Sequence, residues 1–197
     1  MANEIEISTG NHKLDIVLND LPLGLKQHSI RARDKAKELA EILGFDPEQA
    51  GLAGLCHDIA RAMKGDDLYL RAVEYNLDIH PVENQIRVLL HGPVGAEILK
   101  RDCDIKDPEI IEAIWWHSTF NRNLGPVSKI TFLADKLDPN KAARFDDLEG
   151  KYTLAKKNLD KAILSFLEED ISNMTADGSQ IHPASIEGRN WLLGLLN

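Results

Sequence analysis

Hydrophobic positions recur along this chain with the spacing of helices. Ala32, Ala36, Leu39, Ala40 and Leu43 share one face and predict a helix from Lys26 to Leu43, ended by Gly44. Val127, Ile130, Leu133, Ala134 and Leu137 do the same after Pro126, with Asp138-Pro139 closing the element. Tyr152, Ala155, Leu159, Ala162 and Phe166 form one stripe, and a last helix runs from about Ala184 to Leu196. Shorter helices are expected around Leu14 to Leu18, at Asp66 to Tyr75, at Val82 to Leu90, and at Val94 to Lys100 after a break at His91-Gly92-Pro93. Another starts at Pro108, with Ile110 and Ile114 on its stripe. The pattern predicts about nine helices and no convincing strand, so an all-α fold.

One stretch departs from this amphipathic rule. Asp46-Pro47 is a cap followed by a helix start, and from Ala50 to Ala60 every side is apolar except at the pair His57-Asp58. A helix of this kind is buried on most of its surface. An ionised carboxylate there costs several kcal/mol unless it is paired or binds a metal, and the stretch holds no Lys or Arg. The segment asks for a cation.

Composition narrows the field. The 197 residues suffice for one domain, and a formal net charge of −9 argues against a general nucleic-acid binder. An anionic substrate would need a local positive site such as a metal. Two cysteines, Cys56 and Cys103, make no disulfide framework, and neither a signal peptide nor a spanning stretch stands out. A cytoplasmic chain without nucleic-acid or membrane partners is expected, with C-terminal helices apolar enough to support a homodimer.

Six residues stand at helix ends or on inward faces: His28, His57, Asp58, His91, His117 and Asp135. Each has a plainer reading. His91 could be a turn histidine in water, His117 a cation near a helix C-terminus, and Asp135 the partner of Lys136 or Lys129. Together, imidazole and carboxylate suit iron, manganese, cobalt or nickel better than a thiolate site would. His12 and His80 are read as solvated surface residues, and His182 as a turn or packing residue. Trp115 and Trp116 look like core, which leaves Phe120 in the polar loop as the better nucleobase contact.

The order His28, His57-Asp58, Asp135 resembles the HD superfamily of metal-dependent phosphohydrolases. His28-Ser29-Ile30-Arg31, Leu52 to Arg61, Leu89 to Ala96, His117-Ser118-Thr119, Lys129 to Lys136, Ile181-His182-Pro183 and Arg189-Asn190 are similar to its YqeK family. The resemblance covers about Leu25 to the C-terminus. It implies an HD-domain helical bundle at 25–145, after an N-terminal extension at 1–24 and before C-terminal helices at 146–197 packed on the same domain. It also implies that the six residues ligate two ions, iron first, with Asp58 bridging. The activity implied is symmetrical cleavage of diadenosine tetraphosphate to two ADP, by attack of a water activated between the cations.

Arg61, where the family often has Lys, is expected to neutralise charge on the leaving phosphate. Lys64, Phe120 and Arg122 are the other candidate substrate contacts. After His117-Ser118-Thr119 the family commonly continues Gly-Arg, whereas Phe120-Asn121 stand here with Arg122 displaced by one place. That departure leaves a broader HD nucleotidase, or a silent nucleotide- and metal-binding module, as alternatives.

Overall fold

Four of the described helices start as a side-chain cap followed by proline. Asp46 accepts from the N–H groups of Glu48 and Gln49 ahead of Pro47, and Asp107 from those of Glu109 and Ile110 ahead of Pro108. His80-Pro81 and His182-Pro183 use the same device, with ring Nδ1 accepting from Val82 and Ala184. The acceptor satisfies an N–H that the helix leaves free, and proline in the first turn forfeits no hydrogen bond.

The computed structural model describes residues 5–197. Its helices are α1 His12–Asp20, α2 Leu23–Leu43, α3 Pro47–Cys56, α4 Gly65–Glu74, α5 Pro81–Gln85, α6 His91–Arg101, α7 Pro108–Trp116, α8 Pro126–Lys136, α9 Leu148–Ala155, α10 Leu159–Ala176 and α11 Pro183–Leu196. Among the described residues there is no strand, so the fold is all-α as expected, with eleven helices rather than about nine. Among the described residues no helix is long and apolar enough to cross a membrane.

The extra helices come from breaks that periodicity does not reveal. The stripe from Tyr152 to Phe166 is interrupted at Asn158, whose side chain caps α10 by accepting from the Lys161 N–H. The segment expected as one helix from Val82 to Leu90 is α5 followed by a 3-10 turn, Arg87–Leu90. The break expected at His91-Gly92-Pro93 is instead the first turn of α6. Proline is tolerated there because first-turn N–H groups have no intrahelical partner. Gly92 is required by packing, since a Cβ on it would lie 2.7 Å from the Trp115 carbonyl oxygen.

Three apolar clusters hold the described bundle, the smallest of them around Leu68, Leu90 and Val94, and two matter for the site. One joins Leu14, Leu18, Ala53, Leu99, Ile110 and Ile114, uniting α1, α3, α6 and α7. The other joins Leu39, Ile130, Leu133, Phe145, Phe166 and Leu192, uniting α2, α8, α10 and α11. Helix α3 lies so close to α2 that a Cβ on Gly54 would sit 2.8 Å from the Ala32 carbonyl oxygen. The ends of these elements meet in one polar pocket.

Candidate metal centre

The predicted buried helix ends early, at Cys56, and that early end makes the site. The last carbonyls of a helix lack intrahelical partners. His57, immediately after α3, donates Nδ1–H to the Gly54 carbonyl at 2.7 Å, and His117, immediately after α7, donates to the Ile114 carbonyl at 2.8 Å. His91 donates likewise to the Val88 carbonyl in the 3-10 turn before α6. His28, within α2, donates Nδ1–H to Asp138 Oδ2 at 2.6 Å. With each proton fixed on Nδ1, all four rings present a bare Nε2 lone pair.

Those lone pairs converge. His28 and His57 bring their Nε2 atoms to 3.0 Å, and His91 and His117 to 2.9 Å. Asp58 lies between the pairs: Oδ2 is 3.7 and 3.5 Å from His28 and His57, and Oδ1 is 3.2 and 3.4 Å from His91 and His117. Asp135, in the last turn of α8, sets Oδ1 3.2 Å from His28 and 3.5 Å from His57. All six residues singled out in the sequence therefore meet in one place.

The donor set fits a metal. Acceptor atoms facing acceptor atoms inside a bundle repel unless a cation or proton stands between them. The negative C-terminal ends of α3, α7 and α8 add to the demand. His28, His57 and Asp58 form one group whose ligand atoms lie within 4.8 Å of one another, and Asp58, His91 and His117 form a second. Burial lowers His57, but Asp58 and Asp135 more than offset this and raise it, the direction in which a site short of positive charge pulls a buried imidazole. His117 is pushed down to about 4 by burial and by its imidazole neighbours, so it is neutral and free to ligate at pH 7. Burial works against both carboxylates, yet the surrounding imidazoles hold Asp58 well below the usual range, and Lys136 leads the groups doing so for Asp135. Cys56 is no ligand, because burial pushes its thiol far above its ordinary value.

A cavity of about 210 Å³ opens beside the cluster. Of the candidate substrate contacts, Arg61 lines it, but Lys64 and Arg122 do not. Both are exposed; Lys64 is the N-cap residue of α4, and Arg122 reaches only as far as Glu187, at 4.0 Å. Phe120 requires a correction. Its backbone turns left-handed at φ 62°, which sends the ring fully into the core against Phe132, centroids 5.1 Å apart, and away from any nucleobase. Gly188 of α11 makes the room, since a Cβ there would lie 2.6 Å from the ring. Trp115 and Trp116 are partly buried against the two cores, as expected.

Other cavity residues had no place at the site in the sequence, where Lys136 figured only as a salt-bridge partner of Asp135 and His182 only as a turn residue. Lys136 is buried, 2.7 Å from Asp135 Oδ2, and donates to the His117 carbonyl at 3.2 Å; Lys141 is 3.0 Å from Asp135 Oδ1. Arg144 reaches the wall while paired with Asp170 at 2.6 Å. The signal was available for Lys136 and Lys141, one and six residues after a suspected ligand. His182 caps α11 as a turn residue should, yet it also lines the cavity, its buried Nε2 without a hydrogen bond and 3.9 Å from Glu83 Oε1. His80, expected in solvent, is half-buried, caps α5, and lies against His182 with centroids 4.9 Å apart.

Comparison with known proteins gives the same reading. The model of the HD domain matches residues 25–140. A symmetrical bis(5'-nucleosyl)-tetraphosphatase from Halalkalibacterium halodurans is 31% identical over 167 residues, 85% of this chain and 88% of that protein. One of the same name from Bacillus subtilis is 25% identical over 84% of this chain and 88% of its own length. A crystal structure of a predicted HD superfamily hydrolase involved in NAD metabolism, from Clostridium acetobutylicum, superposes with a TM-score of 0.89. It is 28% identical, with 96% of this chain and 99% of that one covered. By its matched domain, its fold and its converging histidines and aspartates, the chain belongs to the HD-domain family.

Proposed function

We propose that this chain is a metal-dependent phosphohydrolase that splits diadenosine tetraphosphate symmetrically into two ADP. One observation carries the reading: the two oxygens of Asp58 each face a different histidine pair, the arrangement required to hold two cations side by side. His28, His57 and Asp135 complete one position, and His91 and His117 the other. Iron is the first candidate, with manganese, cobalt and nickel suited to the same nitrogen and oxygen donors. Ions held by these residues would supply neutralisation of phosphate charge and activation of a water.

The chain's own residues do the remaining work. Lys136 and Lys141 hold the Asp135 carboxylate in place. Arg61 and Arg144 at the cavity wall offer guanidinium forks to phosphate oxygens, which gives an acidic protein a local positive mouth. A space of about 210 Å³ is smaller than pockets that enclose whole drug-sized ligands, roughly 300–1,000 Å³, and suits the polyphosphate with the nucleosides outside it. The relatives named as symmetrical tetraphosphatases support this substrate class. The loop departure after His117 weighs less than its sequence suggests, because Phe120 is turned into the core.

The test is turnover of a nucleotide panel by metal-reconstituted protein, with products separated by chromatography. Diadenosine tetraphosphate giving ADP alone is the expected result. Phosphate release from mononucleotides, with the dinucleotide untouched, would replace this reading by that of a general nucleotidase.

A further inference from the structure

Three of the four histidines in the centre are held alike, each by a backbone carbonyl three residues earlier. His28 is the exception. It sits inside α2, where the preceding carbonyls are engaged in the helix ladder, and its Nδ1–H goes to a side chain that is 110 residues away in sequence, Asp138. The Asp138 side chain is fully enclosed, and its Oδ1 accepts from the Asn140 N–H at 2.8 Å. Arg31, three residues after His28 on α2, donates Nε to Asp138 Oδ2 at 3.0 Å. Its Nη2 lies 2.9 Å from the same oxygen as an ion-pair contact.

A carboxylate accepting from the distal nitrogen of a ligating imidazole fixes the tautomer, orients the ring and makes the ligating nitrogen more basic. A backbone carbonyl orients but carries no charge. We propose that Asp138, pinned by Arg31, is a positioning residue for the His28 half of the centre, so that the two halves are secured by unlike means and can be weakened separately. The inference rests on the two-cation reading above. It also makes the difference accessible to mutation, because the carbonyl tethers survive any side-chain replacement and the His28 tether does not.

The experiment is titration of metal-free protein with Mn²⁺ by calorimetry, with electron paramagnetic resonance spectra recorded at each equivalent. Wild type is expected to take up two ions and show the spectrum of a spin-coupled pair. Asp138→Asn keeps the size of the side chain and an oxygen acceptor but removes the charge. It should weaken one binding event by roughly 10–100-fold, leave the other unchanged, and give an isolated-ion spectrum at one equivalent. Arg31→Met, which leaves the carboxylate and its Asn140 contact intact, should give the same one-sided loss to a smaller degree, with the thermal midpoint near that of wild type. Wild type binding two ions and Asp138→Asn matching it, or both events weakening together, overturns the positioning role alone. Wild type binding no Mn²⁺ overturns the two-cation reading and this inference with it.

Discussion

His57 and His117 are enclosed on all sides and bonded to carbonyls of their own helices, while Arg61 and Arg144 reach the same cavity with side chains open to water. The first pair is fixed by backbone geometry before any ligand arrives. The second stands in solvent, and Arg144 is paired with a carboxylate, Asp170, that an entering anion would displace. On the proposed reading, the positions meant for cations are built rigidly, whereas the contacts meant for substrate are left adaptable. Exposed charges gain little from one another in water, so they act chiefly when a polyanion brings them together.

Substitutions sharpen this contrast. The largest effect is expected at Asp58, which serves both histidine pairs: Asp58→Ala should lose both ions by elemental analysis and slow hydrolysis by on the order of 10³-fold or more. Parent-rate turnover by that protein would dispose of the centre. Phe120→Ala should cost about 3–5 kcal/mol in urea unfolding, because a full aromatic ring leaves the core, with KM unchanged once the protein is folded. A raised KM at an unchanged urea midpoint would return Phe120 to the substrate. Arg61→Ala removes one charge-assisted contact of about 1.5–3 kcal/mol, so kcat/KM should fall by roughly 10–150-fold while metal content stays at the wild-type value. Loss of metal in that variant would erase the distinction between rigid centre and adaptable rim.

The smallest effect lies in proton balance. His117, depressed to about 4 from an ordinary 6.5, stabilises the metal-free fold above pH 6.5 and gives that contribution up as pH falls toward 4. His57, raised by Asp58 and Asp135, runs the other way: its contribution is complete below 6.5 and lost as pH climbs through its raised value. Asp58 and Asp135, held low, lose theirs only below the ordinary carboxylate value of 3.8. Urea midpoints of metal-free wild type should therefore decline from pH 6.5 to pH 4.5, by at most about 1.4 kcal/mol per pH unit from His117. His117→Gln should show a shallower decline, and an equal slope would refute the assignment.

The two regions also differ in how far sequence reveals them. The six converging residues were readable because imidazole and carboxylate at helix ends or in apolar surroundings are chemically out of place, and an unpaired Asp58 in a buried stretch demanded an explanation. Helices with long apolar stripes, such as α2 and α8, were readable for the same reason that they are stable. What escaped depends on backbone details without a composition signal. Asn158 divides a continuous stripe, the His91-Gly92-Pro93 break is a helix start, and a left-handed residue in a polar loop carries Phe120 inward. Arg144 and His182 reach the cavity only through the path of the chain after α8, which local spacing does not encode.

Gly54 ties two requirements to a single peptide unit. Its missing side chain allows α3 to lie against the Ala32 carbonyl, and its own carbonyl oxygen steers His57. An exchange that wedged the two helices apart would swing the imidazole with them, so packing and ligation cannot drift independently at this position. In a selection for activity, Gly54 should become intolerant of variation sooner than any arginine at the mouth.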